Sequence, residues 1–414
     1  MSERLRVLSV INELYFGGDE NRLLTMARSI DRNRFDLDVV TLKRAEEAVD
    51  AHYGTMRRQY AAAGIDVIDL GEGHPNEGVP AGAPVRLWRA GSMFMRTVRK
   101  ICALIRSRNI DVIDAHLGPG NLVGVMAGVM TGTPRVLTTY HVEQWDPRWL
   151  WFGVHQWTLA NADAILTDSA ACADTIRRWM RSGNPNIVVI PNGVVPPASD
   201  RSVAELRAEF GLPADPNVKI VGQISTLLPT KGHMVMIEAA RRICDRVPNT
   251  AFLLVGYVRE DPSYKDRLEA RAAELGLADR VRIVSYPGPI GDVWKVIDVH
   301  AHPTTLDSLP NAIIEGMSLG RPAVVTAVGG IPTLVEDGVT GLVVAPKEPV
   351  ALADAIVRIL TDDDLAARLG DAARRRYDAN YTPQIMAQRL EGTFETVARN
   401  RVRVGRSSPE GVPV

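Results

Sequence analysis

Short apolar runs alternate with longer amphipathic segments along most of the chain, and this alternation restricts the possible fold more than any other feature. Runs such as residues 6–11 and 37–42 are too short to be helices, whereas the segments between such runs have helical periodicity. This succession is typical of β-α-β units, in which helices cover both faces of a parallel sheet. The sequence therefore predicts an α/β protein.

The length of the chain and one internal turn indicate two domains. A chain of 414 residues is too long for one ordinary core, and 46% of its residues are hydrophobic. The predicted strands stop at the turn signal Pro191-Asn192-Gly193 and resume near residue 219. We expect α/β domains at 1–194 and 195–380, a helix at 381–400 and a frayed tail at 401–414.

Composition excludes several classes of protein. A formal net charge of −1 provides no global field that would attract nucleic acid. The longest apolar stretch, 122–130, is too short to span a bilayer, and the N-terminal segment lacks a signal-peptide pattern. Cys102, Cys172 and Cys244 are far apart, as expected for core residues in a reducing compartment. We expect a cytoplasmic protein, or one that is peripheral at the inner face of the membrane.

Residues 298–344 contain the most informative local pattern. They are predicted to form a strand, a loop, a short helix with Asn311 as its N-cap, a glycine stop at Gly320 and a buried strand at 323–327. In a parallel sheet this order places the start of the helix at the carboxyl edge, where open sheets bind ligands. The unpaired N–H groups and the dipole of a helix N-terminus favour an anion there.

Two carboxylates flank this predicted anion site. Asp307 lies in the loop before the helix, and Glu315 lies one turn inside the helix. Anion-binding amides beside acidic groups suit a phosphate esterified to a polyol, as in a nucleotide-sugar. The alternatives are a turn aspartate that satisfies its own loop backbone and a glutamate that compensates the helix dipole.

The segment resembles the donor-site motif of retaining glycosyltransferases of family four. The family pattern is Pro-Ser, an acidic residue, seven residues, Glu-Ala-Met, Gly-x-Pro-Val and then Gly-Gly. The matching positions are Pro303, Asp307, Glu315-Gly316-Met317, Gly320-Arg321-Pro322 and Gly329-Gly330. The likeness extends along nearly the whole chain. It implies the GT-B architecture, in which two Rossmann-like domains face each other across a cleft and the last helix returns to the first domain.

The resemblance also implies roles for residues of the second half. Lys231-Gly232 matches a Lys-Gly pair that holds the donor diphosphate, but Thr226 stands where the family has an arginine. Asp307 stands where the family usually has a glutamate that contacts the transferred sugar, and its side chain is one methylene shorter. Glu315 matches the glutamate that binds the ribose diol. A solvated loop lysine is the alternative for Lys231.

Further residues are candidates to supply backbone N–H groups to the diphosphate and to replace the positive charge that is absent at Thr226. Because Pro310 has no N–H, Leu309, Asn311 and the following helix are expected to supply the donors. Arg259 follows the strand predicted at 251–256 and is the nearest candidate to offset the charge missing at Thr226. A solvent-facing loop arginine is the alternative.

In the first half, the resemblance implies that the Gly17-Gly18 loop approaches the donor phosphate and that His141 lies near the reacting sugar. The glycine loop precedes a helix expected to begin near Asn21 and lacks the third glycine of the dinucleotide fingerprint, so a nicotinamide enzyme is not expected. The alternatives are a simple tight turn and an ordinary surface or core histidine.

Two further features concern the acceptor. Trp145 and Trp149 are candidates to line an acceptor pocket by stacking on a sugar or lipid, or else are core residues. The segment 86–108 contains seven basic residues and no acidic one. It is a candidate for peripheral contact with an anionic membrane, and the solvated face of a core helix is the alternative.

Together these features predict a metal-independent, retaining glycosyltransferase with Asp307 and His141 as its catalytic residues. It would move a sugar from a nucleoside-diphosphate sugar, with a UDP-sugar favoured, to a hydroxyl of a glycan, lipid-linked or small-molecule acceptor. We expect no cofactor, because Lys231 and helix amides take the place of a metal at the diphosphate. His300 and His302 have no third ligand nearby in sequence, and the aspartates at 362–364 suit helix capping.

Two alternatives remain open at this level. Thr226 and Asp307 both weaken known donor contacts, which favours a catalytically weak or inactive GT-B homologue that binds a sugar-nucleotide or a partner. A nucleotide-sugar epimerase of the same architecture is less favoured, since the donor motif is of the transferase kind.

Overall fold

The computed structural model describes residues 4–14, 18–43, 56–71, 85–138, 149–180, 186–258 and 261–406. The described residues fall into two units. The first domain contains those up to Gly193 together with those from Pro383 onward, and the second domain runs from Val194 to Thr382. Each domain is built on its own parallel sheet, so the predicted fold class is confirmed.

The first domain has a seven-stranded sheet in the order β3-β2-β1-β4-β5-β6-β7, and all neighbouring strands are parallel. The strands are β1 Leu5–Ile11, β2 Phe35–Thr41, β3 Val67–Asp69, β4 Val112–His116, β5 Arg135–Thr138, β6 Ala164–Thr167 and β7 Ile187–Val189. Successive side chains point to opposite faces of a strand. Accordingly Val7 and Ile11 belong to one core cluster, and Leu8 and Val10 belong to another.

Helices lie between these strands, and one more comes from the end of the chain. They are α1 Gly18–Ser29, α2 Met56–Ala62, α3 Val85–Ser107, α4 Gly118–Thr131, α5 Trp149–Ala160, α6 Ala170–Trp179 and α15 Pro383–Arg406. Four large apolar residues of α15 that recur every three or four positions are buried, namely Met386, Leu390, Phe394 and Val397. They join the core cluster that contains Val7 and Ile11, so α15 is part of the first domain.

The second domain has a six-stranded parallel sheet in the order β10-β9-β8-β11-β12-β13. The strands are β8 Lys219–Ile224, β9 Thr250–Val255, β10 Val281–Val284, β11 Val299–His302, β12 Ala323–Thr326 and β13 Leu342–Val344. The helices are α7 Val203–Glu209, α8 His233–Arg246, α9 Tyr264–Glu274, α10 Ile290–Val296, α11 Asn311–Ser318, α12 Ile331–Leu334, α13 Pro349–Thr361 and α14 Asp363–Asn380. The strand order reverses between β8 and β11, and open sheets bind ligands beside such a switch point.

The strands predicted at 6–11, 37–42, 251–256 and 323–327 lie within two residues of β1, β2, β9 and β12 at both ends, but two helix starts differ from prediction. The N-cap of α11 is Pro310, with φ −66° and ψ 123°, so the prediction that Asn311 is the N-cap is wrong. A proline fits this position because its fixed φ suits the chain entry and its missing N–H costs no helical hydrogen bond. Helix α1 begins at Gly18 and not near Asn21.

Two other predicted features of helices are confirmed. Gly320 ends α11 with a left-handed φ of +64°. The side chain of Asp362 accepts a hydrogen bond from the backbone N–H of Leu365 at 2.8 Å, which is the capping role predicted for the aspartate run. None of the helices in the described part of the chain is both long and apolar enough to cross a membrane.

We predict that Phe394→Ala lowers the free energy of unfolding by about 3–5 kcal/mol, the usual cost of removing a buried phenyl ring. The physical reason is that Phe394 of α15 is fully buried in the core of the first domain. Urea denaturation measures the change. Arg399→Ala on the same helix is the control, because its side chain is 76% exposed and its ion pair with Glu395 is a surface pair. Equal costs for the two variants would show that α15 does not complete this core.

Candidate functional site

The candidate site lies in the second domain, at the carboxyl ends of β8 and β11. These strands are neighbours, with Val299 of β11 opposite Val221 of β8. A 3₁₀ turn, Pro229–Lys231, follows β8, and the loop that precedes α11 follows β11. Because parallel strands end at the same edge of the sheet, both connections emerge side by side at the switch point.

Hydrogen bonds join the two connections. The carbonyl oxygen of Thr230 accepts from the backbone N–H of Thr305 at 2.7 Å and from Oγ1 of Thr304 at 2.9 Å. From β8 itself, Nε2 of Gln223 donates to the carbonyl oxygen of Lys231 at 2.8 Å. The backbone around Lys231 is therefore held from both sides.

Two glycines allow backbone segments to approach each other closely. Gly232 has a φ of +74°, and a Cβ added there would lie 1.9 Å from the carbonyl oxygen of Pro303. Gly329, in the Gly-Gly loop after β12, has a φ of +51°, and an added Cβ would lie 1.8 Å from the carbonyl oxygen of Asp307. Only glycine satisfies both the left-handed φ and the contact distance at these positions. The glycines that follow Lys231 and precede α12 thus have a steric role in shaping the site.

Lys231, Asp307 and His302 form a partly buried ionic cluster. Nζ of Lys231 donates to Oδ2 of Asp307 at 2.5 Å, and Nε2 of His302 lies 3.3 Å from the same oxygen. The lysine and aspartate side chains are 20% and 12% exposed. The alternative of a simple solvated lysine is therefore wrong, since this ammonium group has a carboxylate partner across the two connections.

Opposing effects set the ionisation of Asp307. Burial raises the pKa of its carboxyl, but the hydrogen bond and charge of His302 and the charge of Lys231 outweigh burial and lower that pKa to about 2. The stabilisation from this ionised group is present above the ordinary aspartate pKa and is lost as the pH falls through about 2. An ionised carboxylate only accepts hydrogen bonds, so Nε2 of His302 carries the proton between them.

Glu315 has a different environment. It lies on α11, and its Oε2 accepts a hydrogen bond from Nε1 of Trp294 on α10 at 2.8 Å. Burial raises the pKa of Glu315, and the Trp294 hydrogen bond offsets part of that effect. The residue that precedes α11 by two positions, Leu309, is 5% exposed and packs in the core with Ile313.

The start of α11 provides further polar groups at this edge. Helix α11 begins at Asn311 directly after Pro310, and the N-terminus of an α-helix carries the positive end of its dipole. Thr226 lies between β8 and the 3₁₀ turn and is partly buried. The carbonyl oxygen of Thr226 accepts from the backbone N–H of Leu228 at 2.8 Å. The second domain thus brings Lys231, Asp307 and the start of α11 to one edge of its sheet.

Several predicted residues lie elsewhere. Gly18 is the first residue of α1 and Trp149 is the first residue of α5, both in the first domain. Gly17, His141, Trp145 and Arg259 lie outside the described residues. The assignments of these residues stay predictions.

Two profiles of known families match the chain. The profile described as "Glycosyl transferases group 1" matches residues 205–376, and the one described as "Glycosyl transferase 4-like domain" matches residues 17–193. The chain belongs to the group 1 glycosyltransferases. The predicted resemblance to family four is thereby confirmed, and the candidate site lies inside the region matched by the group 1 profile.

Relatives with curated names include D-inositol 3-phosphate glycosyltransferases. The one from Corynebacterium jeikeium is 28% identical over 57% of this chain and 58% of its own length. The one from Corynebacterium diphtheriae is 24% identical over 92% of this chain and 90% of its own length. The chain thus aligns with little more than half the length of the former relative.

Solved structures share the fold of this group 1 member. A glycosyltransferase from Rickettsia africae superposes with a TM-score of 0.79 at 17% identity, covering 96% of this chain and 99% of that one. Anabaena HepE, in complex with UDP and glucose, superposes with a TM-score of 0.77 at 22% identity, covering 95% of this chain and all of that one. These neighbours are GT-B glycosyltransferases, and the two parallel-sheet domains of this chain have the same fold.

Sequence reasoning missed two residues of the site, Trp294 and His302. Their roles depend on contacts between α10 and α11 and between β11 and its following loop. One signal was present, because His300 and His302 alternate just before Asp307 and so point to the same face of β11. Within the described residues no group of three or more histidine, cysteine, aspartate or glutamate side chains is arranged to hold a metal ion.

A second buried polar cluster was also missed, on β1, β4 and β5 of the first domain. Oδ2 of Asp114 lies 2.7 Å from Nε2 of His116 and accepts from Oγ of Ser9 at 3.2 Å. Oδ1 of Asp114 accepts from Oγ1 of Thr138 at 3.2 Å. All four side chains are buried, so the carboxylate is stabilised by three donors of its own domain.

We predict that Gly232→Ala destabilises the second domain more than Gly338→Ala does. Both glycines have a φ above +70°, but a methyl group at Gly338 would meet open space and one at Gly232 would overlap the Pro303 carbonyl. The left-handed φ alone costs about 1–2 kcal/mol in each variant. Urea denaturation should therefore show a clearly larger loss for Gly232→Ala.

Hydrogen exchange of the Thr305 amide tests the local part of the same prediction. This amide donates to the carbonyl oxygen of Thr230, beside Gly232. Its exchange should accelerate in Gly232→Ala and stay unchanged in Gly338→Ala. Similar losses of stability and similar exchange in the two variants would show that the close approach does not hold the connections together.

Proposed function

We propose that this chain is a retaining glycosyltransferase that moves a sugar from a nucleoside-diphosphate sugar to an acceptor hydroxyl. The observation that carries the proposal is the position of Lys231, Asp307 and the start of α11 together at the carboxyl edge of the second sheet. A cation and helix amides suit a departing diphosphate, and an ionised carboxylate suits the positive charge that develops on the sugar.

The donor diphosphate would lie between Lys231 and the start of α11. Both groups favour negative charge, and neither has to be created during the reaction. For this reason we propose a metal-independent transfer. Because Lys231 also pairs with Asp307, an incoming diphosphate competes with the carboxylate for the ammonium group. We infer that diphosphate binding frees Asp307 to accept hydrogen bonds from hydroxyls of the transferred sugar.

Glu315 would bind the ribose. Its carboxylate accepts one hydrogen bond from Trp294, and a carboxylate has room for further donors. Two adjacent ribose hydroxyls match that remaining capacity. The complex of Anabaena HepE with UDP and glucose supports a UDP-sugar as the favoured donor of this chain.

The observations leave more classes of acceptor than of donor. The relatives named D-inositol 3-phosphate glycosyltransferases support a phosphorylated polyol as one candidate, beside glycan, lipid-linked and other small-molecule acceptors. His141, Trp145 and Trp149 stay candidates for the acceptor side in this proposal.

A catalytically weak or inactive homologue is the second candidate. The observation in its favour is that Thr226 stands where the family has a diphosphate-binding arginine. A cation at about 4 Å from a phosphate contributes roughly 4 kcal/mol at an effective dielectric constant near 20, before desolvation is subtracted. Binding of a nucleotide-sugar without turnover would identify this second candidate.

We expect one of UDP, GDP, TDP and ADP to bind to the wild-type protein in titration calorimetry, and the matching nucleotide-sugar to turn over. Glu315→Gln should weaken that binding about tenfold, the difference between a hydrogen bond to a charged group and one to a neutral group. The glutamine retains an acceptor for Trp294, so the melting temperature should change little. Glu269→Gln on α9, where the carboxylate is 52% exposed, is the matched control. Failure of all four diphosphates to bind would reject both candidate functions.

We further propose that α3 contacts an anionic membrane surface. Arg96, Arg99, Lys100 and Arg106 are exposed on this helix, and the whole of α3 contains no acidic residue. Vesicles with anionic lipid should therefore sediment the wild-type protein, and Arg96→Glu combined with Arg99→Glu should abolish this. Arg368→Glu combined with Arg375→Glu, at exposed sites on α14, is the control of equal charge. Equal sedimentation of both double variants would reject the contact.

A further inference from the structure

Each carboxylate of the candidate donor site is hydrogen-bonded by the ring of a deeply buried residue that sequence reasoning did not place there. Trp294 donates to Glu315, and His302 donates to Asp307. The indole is 1% exposed and the imidazole residue is 2% exposed, so neither ring can itself reach far into a ligand site. Both rings therefore act on a ligand only through the carboxylates that they hold.

The neighbourhood of Trp294 is shaped for its large ring. Gly316, on α11 directly after Glu315, lies against the indole, and a Cβ added there would be 2.9 Å from its Cη2. The glycine thus lets the indole pack against α11 at the turn that carries Glu315. In that position the Nε1–H group reaches Oε2 of the carboxylate at 2.8 Å and restricts its rotation.

His302 is anchored in the sheet at the last position of β11. Its carbonyl oxygen accepts from Oγ1 of Thr326 on β12 at 3.3 Å. Its Nε2–H donates to Asp307, whose other oxygen accepts from the backbone N–H of Ser308 at 3.2 Å. When a diphosphate takes Lys231 away from Asp307, His302 is the side chain that still fixes the direction of the carboxylate.

His300 separates the two rings. Its ring centroid lies 5.0 Å from that of Trp294 and 5.6 Å from that of His302. Neither of its nitrogens has a hydrogen-bond partner among the described residues, so His300 holds neither carboxylate by a hydrogen bond. The Trp294–Glu315 pair and the His302–Asp307 pair are therefore not joined through a hydrogen bond of His300.

We propose that Trp294 and His302 are positioning residues for separate halves of the donor, Trp294 for the nucleoside through Glu315 and His302 for the transferred sugar through Asp307. The inference rests on the proposed function, since it needs a nucleotide-sugar at this site. It goes beyond that function by dividing donor recognition between two supports that can be removed one at a time.

Two readouts separate the halves, namely the dissociation constant of the nucleoside diphosphate and the turnover of the nucleotide-sugar at saturation. Trp294→Phe keeps an aromatic ring but removes the donor to Glu315. It should weaken diphosphate binding at least about threefold, part of the tenfold change that loss of one good hydrogen bond brings. Turnover at saturation should stay within about twofold, because the sugar half of the site is intact.

His302→Leu should have the opposite effect, lowering turnover and leaving diphosphate binding nearly unchanged. The diphosphate should bind within about twofold of wild type, whereas turnover should fall at least about tenfold because Asp307 loses its direction. His302→Gln places an N–H donor near the former Nε2 and should recover most of that turnover. A merely structural role of His302 would not distinguish leucine from glutamine in this way.

His300→Phe is the matched control, since it changes the buried ring between Trp294 and His302 without removing a hydrogen bond. It should leave both readouts unchanged and raise the melting temperature, because two unpaired buried nitrogens disappear. Parallel losses of both readouts in Trp294→Phe and His302→Leu would overturn the inference. So would equal activity of His302→Leu and His302→Gln.

A measurement on the wild-type fold keeps the inference testable if Trp294→Phe does not fold. The indole N–H resonance of Trp294, assigned by its shift in Glu315→Gln, should move when the nucleoside diphosphate is added. The reason is that ribose hydroxyls then share its acceptor. An unmoved resonance in a protein that does bind the diphosphate would reject the role of Trp294. Absence of diphosphate binding by the wild type would instead reject the proposed function.

Discussion

The candidate donor site depends on the contact between two backbone segments at Gly232 and Pro303. A side chain at Gly232 would place its first carbon 1.9 Å from the Pro303 carbonyl oxygen, so this approach is possible only without one. The contact brings the turn after β8 against the loop after β11. Lys231 and Asp307 meet as a consequence, although they are 76 positions apart in the chain. Gly329 supports the same loop from the other side by its approach to the Asp307 carbonyl.

The two carboxylates of the site have opposite pKa shifts for clear physical reasons. Burial acts on both and raises the pKa of each. At Asp307 the interactions with His302 and Lys231 outweigh burial, so this group stays ionised and keeps a full negative charge beside the proposed sugar. At Glu315 the hydrogen bond that counters burial comes from the neutral indole of Trp294, so burial prevails and the pKa is raised. Two carboxylates, one in the loop and one on α11, thus have pKa values shifted in opposite directions by their different surroundings.

At two positions where the chain departs from the family pattern, a neighbouring side chain fits the changed residue. Gly316 stands where the pattern has alanine, and a methyl group there would overlap the indole of Trp294. Asp307 stands where the pattern has glutamate, and the shorter carboxylate is reached by His302 from the end of β11. These substitutions are matched by specific neighbours in the structure. Thr226 differs, because nothing in the described residues explains the loss of its positive charge.

The sequence alone determined the α/β class, the strand positions and the edge at which α11 begins, because these follow from local periodicity and from the rules of parallel sheets. It also placed Lys231, Asp307 and Glu315 at that edge by their motif. Only the tertiary structure decided which side chains hold them, since Trp294 and His302 reach the carboxylates across separate elements. Local pattern carries no information about the contact of Trp294, and the alternation of His300 and His302 indicates only that their side chains share a face of β11. The tertiary structure also decided the N-cap of α11. Pro310 occupies that position because its fixed φ suits the start of the helix, and its side chain makes no capping hydrogen bond.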